Sequence, residues 1–141
     1  MDDELMAQPN RIPRLIGGFL IVEAATFAIA SAVHFGIALP LGFATLPSDP
    51  FTGAAIPEAI IAGVLLAGAA GVLASPRGAW GLALTTTLFA VAGVIVGLNF
   101  VVPDISRRPG DVAYHVAILV ALLITVGLLI TPAARRAMRR R

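Results

Sequence analysis

The chain has no cysteine and no lysine, and little charge of either sign. The absence of cysteine excludes disulfides, thiolate metal sites, CxxC redox pairs and cysteine nucleophiles together. Charged residues make up 13% of the sequence and hydrophobic residues 58%, whereas a soluble domain carries about 25% charged residues. A chain this apolar would expose more hydrocarbon than water tolerates, so lipid is its expected solvent. Catalytic signatures are missing too: there is no Walker loop, GxGxxG, GxSxG or HExxH.

The basic residues that are present are all arginine, and half of them fall between Arg135 and Arg141. This is a basic tail beside a membrane helix, a pattern that suits anionic lipid and not nucleic acid. Nucleic-acid binding is excluded on that ground.

Four long apolar runs supply the fold. They span about 15–39, 56–74, 79–102 and 112–131, each meeting the need for about 20 residues to cross a bilayer. Pro57 suits a first helical turn, Asp111 an N-cap, and Pro103 and Pro132 helix stops. The first run is too long for a cleaved signal peptide, and Glu23 interrupts it. The expectation is a single all-α domain over 1–141: a four-helix transmembrane bundle with up-down antiparallel topology and a basic tail at 133–141. Arg11, Arg14, Arg77 and the tail fall on one side and only Arg107 and Arg108 on the other. The expected orientation is therefore N-in and C-in, in the cell membrane, with multiple passes.

Small residues recur every fourth position. Ala24, Ala28, Ala32 and Gly36 do so in the first run, Ala59, Gly63, Ala67 and Gly71 in the second, and Gly93 and Gly97 in the third. Such rows let helices approach closely in lipid, which predicts a tight bundle and a homo-oligomer or a partner in a membrane complex. The connection over 40–55 is long and apolar, with Phe43, Leu46 and Phe51 among its prolines. It is expected to cover the bundle mouth or lie in the interface.

Function is sought among polar groups within the apolar runs, because each is costly there. His34, Glu58, Asn99 and His115 each lie roughly 10–13 Å from the middle of their own helix, all toward the outer side. Asp111 is one turn from His115, at the i, i+4 spacing that shares a helix face. Imidazoles and carboxylates converging from facing helices build metal sites in bundle cores, and this ligand set suits zinc, copper(II), manganese, iron or nickel. The expected site has His34, Glu58, His115 and Asp111 as metal ligands, with Asn99 hydrogen-bonding in the pocket. Glu23, within about 5 Å of the bilayer middle, would lie deeper along the same cavity. The resulting expectation is an outward-facing polar pocket for a metal ion or small ligand, with transport open.

The same residues leave other classes standing. One is a membrane enzyme using His/Glu acid–base chemistry on a lipophilic substrate. Another is a b-type haem protein with His34 and His115 as axial ligands. The third is an accessory subunit without chemistry, in which these groups only cap helices and hydrogen-bond at the interface. Tyr114 and Trp80 read as interface anchors.

Overall fold

The computed structural model describes residues 11–104, 106 and 109–139. The described chain is mostly helical, and among the described residues four helices are long and apolar enough to cross a membrane: α1 (Arg11–His34), α2 (Thr52–Ala74), α3 (Trp80–Val101) and α4 (Pro109–Ile130). A one-turn 3₁₀ helix (Val102–Asp104) follows α3, and a short α5 (Pro132–Met138) closes the described chain. Four apolar spans make this a multi-pass membrane protein by length and composition. Arg107 and Arg108 lie outside the described residues.

The helices pack in chain order, α1 on α2, α2 on α3 and α3 on α4, with α1 also touching α4 and α5. Their buried positions step alternately by three and four residues. In α2 the seam is Ala55, Glu58, Ala62, Leu65, Ala69 and Val72; in α4 it is Ile118, Leu122, Thr125 and Leu129. That averages 3.5 residues per turn, the repeat that keeps one face of a helix against its neighbour along its whole length.

The fourfold rows of small residues behave differently, because a spacing of four drifts about 40° around the helix at each step. Ala59, Gly63 and Ala67 face outward from α2, as Ala28 does from α1. Other members of the rows do pack: Ala24 is buried, and Gly71 meets Leu82 of α3. Gly68 meets the Thr86 side chain of α3, and Gly17 meets Leu73 of α2. Gly93 and Gly97 serve two different neighbours, Ile61 of α2 and His115 of α4.

Helix ends depart from the expected bounds in physically informative ways. α1 stops at His34, five residues early, in a Schellman cap. Ile37 N–H donates to Ala32 O (3.0 Å) and Gly36 N–H to Val33 O (3.0 Å), with Gly36 left-handed at φ +89°. Gly36 is thus a terminator and not a packing residue. α2 begins four residues before the expected start, so Pro57 is inside the helix and Glu58 sits beyond its first turn. Because proline has no N–H, it cannot bond the carbonyl of Gly53, four residues back. α4 begins at Pro109, which puts Asp111 within its first turn and not at its cap.

The loop between α1 and α2 contains a small antiparallel ladder, Leu39–Pro40 against Thr45–Leu46, turned over Gly42 (φ +84°). Phe43 at its tip is 90% exposed. The loop then returns to the end of α1, where Asp49 N–H donates to Val33 O (3.1 Å) and Phe51 N–H to His34 O (2.8 Å). Carbonyls released by the end of the helix thereby bind the incoming strand.

The expected basic tail is in part the helix α5. Thr131 caps it, accepting from Ala134 N–H at 3.2 Å, with Pro132 at the first helical position. Ala134 and Met138 are buried, and Gly78 N–H donates to Met138 O at 2.7 Å. Trp80 donates from its indole N–H to Leu129 O (2.8 Å), and the Arg139 guanidinium stands 4.6 Å over its ring. Arg14 lines one pocket with Val72 and Pro76, Arg135 and Arg139 stand over Trp80, and His34 is the last residue of α1.

Candidate functional site

At its C-terminal end α1 delivers His34, and α2 delivers Glu58, to each other. His34 Nδ1 lies 2.7 Å from Glu58 Oε2, with both side chains buried. The approach is reinforced next to it by Ser31, whose hydroxyl donates to Ala55 O at 2.8 Å. With Glu58 as the carboxylate, Nδ1 is the nitrogen that carries the hydrogen and Nε2 the one left to face a ligand.

His115 on α4 is fixed by the same logic. Its Nδ1 lies 2.7 Å from the backbone carbonyl of Asp111. A carbonyl can only accept, so Nδ1 carries the hydrogen and Nε2 keeps the lone pair. Nε2 rests against Gly97 of α3, where an added Cβ would come within 2.7 Å of it. The i, i+4 relation between Asp111 and His115 is therefore a ring-to-backbone bond.

A carboxylate outside the apolar runs completes the cluster. Ligand atoms of His34, Asp49 and Asp111 all lie within 4.8 Å of one another, a spacing that can hold a metal ion. Asp49 comes from the loop, positioned by its own N–H on Val33 O and by the Phe51 bond to His34 O. Phe51 also packs edge-on to His34, with ring centroids 6.3 Å apart.

His34, Glu58, Asp111 and His115 line one cavity of about 240 Å³. Its remaining wall is apolar: Phe27, Phe51, Ile61, Val94 and Phe100, with Gly93 and Gly97 making room. Glu58 lies within electrostatic reach of His115 and Asp111 as well as His34.

Two expected pocket residues are placed elsewhere. Asn99 is exposed and donates its amide N–H to Ile95 O of its own helix at 2.7 Å, outside the cavity lining. Its spacing along α3 gave the right depth but the wrong face. Glu23 is only 1% exposed, but it does not line the cavity either. Its Oε1 accepts from Thr125 Oγ1 of α4 at 2.6 Å, while Thr26 donates to its backbone carbonyl.

Tyr114 is no simple interface anchor. Its ring packs edge-on to Phe27 (6.4 Å) and His115 (5.5 Å), and its hydroxyl is buried on the side of Thr26. Phe27 lines the cavity, and Tyr114 packs behind it. The signal for Tyr114 was its position next to His115; for Asp49 it was only a carboxylate held extended ahead of Pro50.

Comparison with protein-family models, with curated proteins and with solved structures finds no match to this chain.

Proposed function

We propose that this chain is an antiparallel transmembrane four-helix bundle with both termini cytoplasmic, which binds a divalent transition-metal ion at its outer end. His34 Nε2, Asp49 and Asp111 are the ligands. Glu58 orients His34, and His115 presents a second lone pair to the same cavity. This revises the ligand set expected from sequence, with Asp49 taking the place given to Glu58.

The observation that carries the reading is the grouping of His34, Asp49 and Asp111 ligand atoms within 4.8 Å. The hydrogen bond between His34 Nδ1 and Glu58 Oε2 supports it. Metal-bound imidazoles characteristically donate their second N–H to a carboxylate or carbonyl, which fixes the tautomer and raises basicity. Three carboxylates around two imidazoles also make a site that a cation neutralises. Imidazole with carboxylates and no thiolate suits zinc, manganese, iron, nickel or copper(II).

Binding is favoured over passage. Toward Arg14 and Trp80 the core is filled by Ile16, Leu20, Leu65, Val72 and Leu129, all fully buried. A site closed below by packed aliphatic side chains is a pocket and not a conduit.

Elemental analysis of protein extracted in mild detergent tests the reading. The wild-type chain is expected to carry a transition metal in stoichiometric amount, and His34→Ala and Asp49→Asn to lack it. Equal metal content in all three would overturn the assignment.

A further inference from the structure

The cavity lined by His34 and Asp111 is larger than an ion needs, and most of its wall is hydrocarbon. We propose that it takes a lipid. The headgroup presents an anionic oxygen, a carboxylate or a phosphate, to the His34–Asp49–Asp111 cluster, and the acyl chain lies in the cleft between α2 and α3. This rests on the metal reading, because without a cation Asp49, Asp111 and Glu58 repel an anionic headgroup.

The cleft is open sideways. Val96 and Phe100 line the cavity and are 57% and 74% exposed on the flank of a membrane-crossing helix. The mouth therefore lies where acyl chains are, between two helices, and a ligand can enter without crossing water. The small residues Gly93 and Gly97 on α3 and Ala54 on α2 line the cavity. Larger side chains there would fill it.

Size and polarity decide what enters. At about 240 Å³ the cavity is smaller than the about 300–1,000 Å³ that encloses a drug-sized ligand. It holds a headgroup and the start of a chain, and the rest must continue through the open side into the bilayer. The polar part of the cavity lining is His34, Glu58, Asp111 and His115. A metal bound there offers open coordination positions to an oxyanion. His115 Nε2, held against Gly97 at the cleft wall, adds a hydrogen-bonding group to a headgroup that carries a proton. A wholly apolar ligand would leave these groups unserved, and a small soluble anion would leave the apolar wall to water.

The full-length protein, reconstituted in phosphatidylcholine nanodiscs and loaded with zinc, is photolabelled in two arms. One uses a long-chain fatty acid bearing a diazirine, the other a phosphatidic acid bearing the same group in its chain. Cross-linked peptides are mapped by mass spectrometry. Labelling is expected to concentrate on Ala54, Val96 and Phe100 in at least one arm, which identifies the headgroup. Removing zinc with a chelator should reduce it to the level of lipid-facing Leu123 on α4. Ala54→Phe should do the same while zinc binding is retained. Even labelling of cleft and Leu123 in both arms, with zinc bound, overturns the lipid assignment and leaves the metal reading intact. Absence of zinc binding overturns both.

Discussion

His34 Nδ1 and Glu58 Oε2 are 2.7 Å apart across the α1–α2 interface, at the last residue of one helix and in the second turn of the other. The pair couples packing to chemistry, since the bond that joins the helices also selects the nitrogen that faces the cavity. Glu58→Gln retains the size of the side chain and removes its charge. Metal affinity should fall by about 10–100-fold, as for other residues that orient a ligating imidazole, while helicity is kept. A competition titration with a chromophoric chelator measures it. Unchanged affinity would mean that Glu58 only joins the helices.

Metal binding should weaken as pH falls. A proton and a metal compete for the His34 lone pair and for the Asp49 and Asp111 carboxylates, so acid displaces the ion. Zinc titrations at a series of pH values, in one detergent, give the slope. Affinity that is flat or rises on acidification contradicts the ligand set.

Glycine positions test the packing register. At Gly97 an added Cβ would lie 2.7 Å from His115 Nε2, and at Gly63 it would meet nothing within 4 Å. Gly97→Ala should therefore lower stability by about 1–3 kcal/mol, the usual range for overpacking, and displace the imidazole. Gly63→Ala should be neutral or stabilising, because alanine favours the helix by about 0.8–1.0 kcal/mol over glycine. Thermal unfolding in detergent compares the two. Equal losses would place Gly63 in a packed seam.

Glu23 and Thr125 bridge α1 and α4 in the buried interior. Thr125→Val deprives a buried carboxyl of its donor and should cost about 1–3 kcal/mol. Glu23→Gln should fold normally, because its amide oxygen can accept from the same hydroxyl. Melting curves of both variants check this, and severe unfolding by Gln alone would contradict the contact.

Much of the architecture was legible because hydrocarbon runs of about 20 residues have few alternative fates. The ends were less so. Gly36 was read as part of a small-residue row because spacing alone does not distinguish a packing glycine from a left-handed cap; the bonds of Ile37 and Gly36 do. In the site, His34, Glu58, Asp111 and His115 were recognised because polarity is conspicuous in an apolar run. Asp49 was not, since a carboxylate in a loop is unremarkable until the chain returns it to His34. Asn99 went the other way: depth along a helix is read from residue number, but its face depends on which neighbour the helix chooses. The arginine tail read only as a basic run suited to anionic lipid, whereas Ala134 and Met138 at i, i+4 mark the buried side of α5.

Orientation rests on arginine distribution and is open to chemical labelling. With no native thiol, single cysteines at Ser48 and Ser106 should react with an impermeant maleimide in intact cells, and one at Ser75 only after lysis. Reversal of this pattern would invert the topology.

Binding of a metal ion by His34, Asp49 and Asp111 is open to a calorimetric titration of zinc into metal-free wild-type protein, His34→Ala and Asp49→Asn in the same detergent. One saturable site is expected in the wild type, and loss of it in both variants, each of which retains helicity. Zinc binding of wild-type strength in Asp49→Asn and His34→Ala would contradict it.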